Sequence, residues 1–168
     1  MKRIMVLGAP GAGKTVFSTK LGRALNIPVY HLDALMWNPK WREKPLREME
    51  TIQEEILSDD CWIIDGYYHK IAGRRFAMAD TVIILDIPRL ACLLRSLRRS
   101  MAKDRSDIAP GCGNKMDRGF FKYIWNYKDR QLKEIYKKAM SCEANVIVLK
   151  SSGEIGAFLT AVRNGINK

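Results

Sequence analysis

The chain has 168 residues, of which 47% are hydrophobic and 28% charged, and its formal net charge is +11. That length fits one domain with a core of its own, and the apolar runs are far too short to span a membrane. Composition therefore points to a soluble, globular protein, and the four cysteines narrow its setting. Cys61, Cys92, Cys112 and Cys142 stand far apart without a C-x-x-C pair. A structural zinc site is not expected, and scattered free thiols fit a reducing cytoplasm. Met1-Lys2-Arg3 leads straight into an apolar strand with no cleavable signal pattern, so a cytoplasmic location is expected.

The charge is uneven. Residues 89–138 hold fourteen Lys and Arg against five Asp and Glu, while the rest of the chain is nearly balanced. A block of this kind suits nucleic acid, a solvated basic face, or an arginine-rich lid over a polyanionic nucleotide.

In chain order, residues 2–7 read as a first strand, apolar throughout as in a parallel sheet buried on both faces. Gly8-Ala9-Pro10-Gly11-Ala12-Gly13-Lys14-Thr15 follows, with Val16 next, and opens a helix from about Lys14 to Leu25. This is G-x-x-x-x-G-K-[ST] between strand and helix, the setting in which the motif binds a nucleoside triphosphate. Glycines let successive N–H groups turn inward on a phosphate, and the helix adds its own unpaired N–H groups. Lys14 is placed to reach the β- and γ-phosphates and Thr15 to ligate Mg²⁺. The helix is expected to face the sheet with Val16, Phe17, Leu21, Ala24 and Leu25.

Val29–Leu32 is a short second strand running into Asp33. The stretch from Asp33 to Trp41, with Trp37, is apolar yet irregular, which fits either packing over the core or a wall of an acceptor pocket. A helix from Pro45 to about Ser58 carries Leu46, Met49, Ile52, Gln53, Ile56 and Leu57 on one face. Cys61–Ile64 forms the third strand, ending at Asp65-Gly66. An acid there, beside a phosphate loop, can hold Mg²⁺ directly or through water; it can also simply make an Asp-Gly turn. A short helix with Arg74 and Arg75 precedes the fourth strand, Thr81–Asp86. The next helix is expected to bury Leu90, Leu93, Leu94, Leu97 and Met101, with Arg95, Arg98 and Arg99 opposite. Residues 102–117 lack periodicity, as a functional lid would. Phe120–Met140 reads as one long helix with Phe121, Ile124, Trp125, Leu132, Ile135, Tyr136 and Ala139 buried. Val146–Leu149 is the fifth strand and Glu154–Asn164 the last helix.

Strands alternating with helices after a phosphate loop predict an α/β fold, a parallel sheet with helices on both faces, in one domain over 1–168. Right-handed crossovers bring the phosphate loop, Asp33 and Asp65 to one crevice.

The phosphate-loop run, His31-Leu32-Asp33 with Trp37 and Trp41, Ile63-Ile64-Asp65-Gly66-Tyr67, Ala79-Asp80-Thr81 and Pro88-Arg89 together resemble the adenylate-kinase-like P-loop proteins. Within that group the chain looks closest to the bacterial DNA topology modulation proteins, a likeness that Gly111-Cys112, Phe121, Trp125 and Arg130 extend. The resemblance implies a three-layer P-loop NTPase fold with five strands in the order 2-3-1-4-5. It also implies a substrate-side segment near residues 34–58, a short lid near 100–118, and ATP as donor. Arg75, Arg95, Arg99 and Arg105 match arginines that hold phosphates, and Asp33, Trp37, Gly66, Arg75 and Arg130 fall on the acceptor side. The Asp-Gly-Phe-Pro-Arg run of some adenylate kinases is absent; Tyr67-Tyr68-His69 follows Asp65-Gly66 instead.

The expected activity is transfer of the γ-phosphoryl of ATP to a small acceptor, a nucleotide or other small metabolite. Lys14, Asp33, Asp65, Arg95, Arg99 and Arg105 are the candidate catalytic groups, and Thr15 and Asp65 the candidate Mg²⁺ ligands. Asp33 either orients or deprotonates the acceptor or caps the turn after its strand. The rival readings are a nucleotide-dependent, nucleic-acid-binding regulator of DNA topology and a simple NTPase.

Overall fold

The computed structural model describes residues 1–100 and 118–165, with backbone alone at Trp41 and Ser100. In chain order the elements begin with β1 (Arg3–Gly8), α1 (Lys14–Leu25), β2 (Val29–His31), α2 (Leu32–Leu35), β3 (Trp37–Asn38), β4 (Arg42–Glu43) and α3 (Leu46–Leu57). They continue with β5 (Trp62–Asp65), α4 (Ala72–Met78), β6 (Thr81–Leu85), α5 (Arg89–Ser100), α6 (Arg118–Tyr127), α7 (Gln131–Met140), β7 (Asn145–Leu149) and α8 (Ser152–Arg163).

Five strands make one all-parallel sheet in the order β2-β5-β1-β6-β7. Counted within that sheet alone the order is 2-3-1-4-5, as expected. The apolar runs of β1, β5 and β6 are buried on both faces because side chains alternate along a strand. Met5, Leu7, Trp62, Ile64, Val82 and Ile84 pack on one face against residues of α3, α4 and α7. Ile4, Val6, Ile63, Ile83 and Leu85 pack on the other against Phe17, Leu21, Cys92 and Val162. Ile64 and Ile63 thus point to opposite layers, and the same alternation sends Asp65 to the α1 side.

Several expected burial patterns are corrected. On α1 the buried positions are Phe17, Ser18, Leu21 and Gly22, while Val16 and Ala24 face outward. Gly22 is buried because α1 and β2 approach so closely there that a Cβ would lie 2.3 Å from Val29 Cγ2. Leu46 is exposed at the start of α3, where Pro45 holds the N-cap position.

On α5 the leucines Leu90, Leu94 and Leu97 are exposed, and Cys92 and Ser96 are buried instead. The helix must turn a small-residue face inward because it touches the phosphate loop: a Cβ on Gly11 would lie 2.2 Å from Cys92 O. A leucine on that face could not come so near.

The single long helix over 120–140 is two helices, α6 and α7, broken at Lys128–Arg130. Tyr127 and Leu132 are both buried, yet five residues on a straight helix turn side chains about 140° apart. The break lets both reach the core. Trp125 lies outside it, exposed and under the Arg89 guanidinium, 5.7 Å from its ring centroid; Phe121 is half-buried.

Candidate active site

The turn from β1 into α1 is built by glycines in conformations that other residues avoid. Gly11 has φ of 80° and Gly13 of 97°, both in the left-handed region. Inside the turn the Ala12 amide donates to Ala9 O at 3.0 Å. Gly13 occupies the N-cap position with no side-chain cap. Among the described residues, the amides of Gly13, Lys14, Thr15 and Val16 have no protein acceptor. Four free N–H groups at a helix N-terminus form a site for an anion, with the helix dipole adding to their pull. Lys14 Nζ closes over the turn, donating to Gly8 O at 3.0 Å and Ala9 O at 3.2 Å.

The carboxyl ends of β2 and β5 meet beside this loop. His31 and Asp65 are register partners, and His31 Nδ1 and Asp65 Oδ2 lie 2.7 Å apart. Asp65 is 2% exposed, so this contact fixes one carboxylate oxygen inside the fold and leaves the other without a described protein partner. No cluster of three or more His, Cys, Asp and Glu suited to a metal exists among the described residues. A divalent cation here would need phosphate and water to complete its shell, as Mg²⁺ in phosphoryl-transfer sites commonly does. Thr15, in the first turn of α1, and Asp65, on the α1 face of β5, suit that partial role.

Asp33 lies in the single helical turn of α2, exposed, and accepts a hydrogen bond from Tyr68 Oη at 3.2 Å. Burial first, and then the Asp33 charge, push the Tyr68 phenol far above its ordinary range. Trp37 acts on the same phenol in the opposite sense, lowering its pKa. Burial and the same carboxylate also raise Tyr123, and Tyr127 is raised by burial, its neighbouring phenols and Asp33. Tyr123 and Tyr127 meet edge to face with centroids 5.7 Å apart, and Phe120 stacks on Tyr123 at 6.4 Å. The irregular stretch from Asp33 to Trp41 is one helical turn, then the first strand of a small antiparallel hairpin, β3–β4, which carries Trp37, and a 3₁₀ turn over Pro39–Trp41 that joins its two strands.

Arg75, expected to grip a phosphate, is 0% exposed. Its Nε donates to Gln53 Oε1 at 2.8 Å, Nη1 to Gly66 O at 2.7 Å, and Nη2 to Tyr67 O and, at 3.4 Å, Tyr68 O. Burial pushes its pKa down to about 9 while the Tyr67 and Tyr68 phenols raise it, which leaves it charged at neutral pH. It clamps the turn after β5, where Gly66 has φ of 102° and Tyr68 of 40°. The guanidinium is spent on protein carbonyls.

Arg95 lies over the phosphate loop, with Nη1 donating to Ala12 O at 3.3 Å and Nη2 to Ser152 Oγ at 2.8 Å. Arg99 is one turn further along α5, and Arg130 is exposed at the N-cap of α7. Arg105 and the expected lid near 100–118 fall, apart from α5's last backbone residue and Arg118, outside the described residues.

Sequence reasoning assigned no role to His31 or Tyr68, nor to Asp86 and Lys128. Lys128 Nζ pairs with Asp86 Oδ1 at 2.8 Å, and Arg89 Nη2 with Asp129 Oδ1 at 2.7 Å. These ion pairs dock the α6–α7 elbow on the β6–α5 turn. Aligning strand ends would have revealed His31 opposite Asp65; nothing in the sequence pairs Asp86 with Lys128, forty-two positions away.

No family model matches the chain, and no curated protein does either. Among solved structures it is similar to shikimate kinase from Acinetobacter baumannii in complex with shikimate, with TM-score 0.67 and 14% identity over 99% of this chain and 93% of that one. Shikimate kinase from Bacteroides thetaiotaomicron gives 0.63 and 15% over 99% of each chain. Deoxyadenosine kinase from M. mycoides with bound dATP gives 0.55 and 12%, over 98% of this chain and 99% of that one. The chain therefore has the P-loop kinase fold. At these identities the likeness carries the architecture and no acceptor.

Proposed function

We propose that the protein is an ATP-dependent phosphotransferase acting on a small acceptor. The observation that carries this reading is the turn of residues 8–16, where, among the described residues, the amides of Gly13, Lys14, Thr15 and Val16 have no protein acceptor and Lys14 donates only to two neutral carbonyls. A triphosphate offers the same lysine charged acceptors, and hydrogen bonds to charged groups are roughly twice as strong as neutral ones. Kinases that share the fold supply the second support, since their structures hold shikimate in one case and dATP in the other.

Phosphoryl transfer asks the protein for positioning and charge neutralisation more than for covalent chemistry. In this reading the loop amides and Lys14 hold the donor, and Arg95, across the loop on α5, offsets charge as the γ-phosphoryl moves. Thr15 and Asp65 hold Mg²⁺, with His31 fixing the Asp65 carboxylate. When bound, the metal neutralises charge on the β- and γ-oxygens. Asp33, across the crevice, accepts a hydrogen bond from the acceptor hydroxyl and takes its proton. Arg99, Arg105 and Arg130 are further candidates for phosphate contact, and Trp37 and Gly66 border the acceptor.

The test is ADP release by the purified protein with ATP and Mg²⁺, measured with and without small hydroxylated compounds. Release that rises when one acceptor is added supports the reading. Release at the same rate with none describes an NTPase instead.

A further inference from the structure

A group that takes a proton during phosphoryl transfer must hold one orientation, and an exposed carboxylate on a single helical turn has several rotamers open to it. Asp33 is such a carboxylate, exposed in the four residues of α2. Three contacts from one loop, the turn between β5 and α4, bear on its place. Gly66 packs against Leu32, the buried residue before Asp33; a Cβ on Gly66 would lie 3.1 Å from Leu32 Cβ, so a bare glycine suits this close seating. Tyr68 Oη donates to Asp33 Oδ1 at 3.2 Å. Lys70 Nζ pairs with Glu43 Oε2 at 3.3 Å and fastens the β3–β4 hairpin, which follows α2, to the same loop.

The loop does not take this shape unaided. Tyr68, a bulky residue, has φ of 40°, a left-handed conformation that persists only where the surroundings impose it. Arg75 imposes it from a fully buried position, donating to Gly66 O at 2.7 Å, to Tyr67 O, and to Tyr68 O at 3.4 Å. Burial keeps the Tyr68 phenol protonated, so it donates to Asp33 and does not compete with it for a proton. Strain held at one residue, whose side chain reaches a candidate base, is an outlier of the kind that functional sites retain.

We infer that Tyr68 is a positioning residue for phosphoryl transfer: its phenol holds one oxygen of Asp33 so that the other faces the acceptor hydroxyl. Arg75 acts one step behind it, by holding the Tyr68 backbone in its left-handed turn. The inference rests on the phosphotransferase reading above and deepens it. In the reaction the acceptor hydroxyl loses its proton to Asp33, and its oxygen forms the new bond to the γ-phosphorus of ATP. The bond from that phosphorus to the β,γ-bridging oxygen breaks, and its electrons stay on ADP. Tyr68 keeps its own proton throughout and touches no reacting atom. Arg75 thus serves the crevice from inside the fold, without gripping a phosphate.

The experiment uses the intact protein in three arms, of which two test the underlying reading. The first titrates ATP with Mg²⁺ by calorimetry; no binding there defeats the phosphotransferase reading, and this inference with it. The second measures ADP release with water alone, with shikimate, with deoxyadenosine, and with a panel of other nucleosides and nucleoside monophosphates. If no addition raises release above the rate with water alone, both fall together. The compound that raises release most is the acceptor used for the variants.

The third arm is a double-mutant cycle of Tyr68→Phe and Asp33→Asn. Tyr68→Phe removes one oxygen and keeps the ring. It should lower kcat about 10- to 100-fold, the scale of a small misplacement of a reacting group, with KM for ATP changed by less than about twofold. In the Asp33→Asn background the same substitution should change kcat by less than about twofold, because residues that act through one another do not add. Losses that add in the double variant, or a Tyr68→Phe variant as fast as the parent, overturn the inference and leave the phosphotransferase reading standing. So does an Asp33→Asn variant with the parent's kcat. Asp33→Glu, at an exposed position where folding is not at stake, decides the matter if Tyr68→Phe fails to fold. It keeps the carboxylate but moves it, and should lose at least about tenfold in kcat. A parent-like kcat in Asp33→Glu overturns the need for a fixed oxygen.

Discussion

Arg75 carries its charge into a place without water, and it stays there because Gln53 and the carbonyls of Gly66, Tyr67 and Tyr68 converge on it. Removing the fork strands those acceptors, each at a cost of about 1–3 kcal/mol. Arg75→Met is therefore expected to lower unfolding stability by at least about 2 kcal/mol in urea titration. Arg75→Lys should recover only part of it, since an ammonium cannot match the planar geometry. Equal stability of both variants with the parent would show that the clamp does not hold the turn. The contrast with Lys14 is instructive, because both are cations beside the same crevice. Lys14 is half-buried and rests on two neutral carbonyls. One cation is committed to the fold and the other is available to a ligand.

At the scale of elements, α5 and the phosphate loop are in contact through Gly11. Its Cβ would lie 2.5 Å from Ser96 Oγ and closer still to the Cys92 carbonyl, and its φ of 80° already disfavours any other residue. Gly11→Ala is expected to cost about 1–3 kcal/mol of stability, the range for overpacking, and to weaken ATP binding as the loop shifts. Thermal melting with and without ATP separates the two effects. A second joint lies at the opposite end of the sheet. Asp80 accepts from the amides of Lys2 at 2.7 Å and Arg3 at 2.9 Å and from Thr81 Oγ1 at 2.7 Å, which ties the start of β1 to β6. Burial alone would raise this carboxyl, but those hydrogen bonds outweigh it and hold its pKa below the usual range. A carboxyl depressed on folding stabilises the protein above its unfolded pKa, and that contribution is lost as pH falls through the lower folded value. Asp80→Asn should therefore destabilise the protein at pH 7 and flatten the acid limb of the stability curve below about pH 4. Parallel acid limbs in parent and variant would contradict the assignment.

Over the whole molecule, the sheet and its order were legible because both rest on strong local signals. Runs such as Ile4–Leu7 and Thr81–Leu85 have no polar face, and a glycine-rich turn followed by a helix admits few alternatives. Which side of a helix is buried was less legible. In α5 the leucine stripe is the obvious inward face, yet contact with Gly11 requires the small residues Cys92 and Ser96 to take it. The break between α6 and α7 was hidden for a similar reason, since Lys128 and Asp129 continue a helical pattern while their ion pairs with Asp86 and Arg89 are long-range. Among the candidate site residues, the places of Lys14, Asp33 and Asp65 in the fold were legible from a motif and from strand ends. The hydrogen-bond partners that set the tasks of His31, Tyr68 and Arg75 are products of packing, which no spacing rule encodes. Among the described residues no helix is long and apolar enough to cross a membrane.

Everything proposed for the crevice depends on a triphosphate seated on the turn of residues 8–15. The direct measurement is calorimetric titration of ATP with Mg²⁺ into the parent and into Lys14→Ala, with circular dichroism showing both folded. The parent should bind with a defined stoichiometry near one, and the variant should bind at least about a hundredfold more weakly, the scale of one lost charge-assisted contact to phosphate. Equal affinity in the two proteins, or no heat from the parent, would contradict the account.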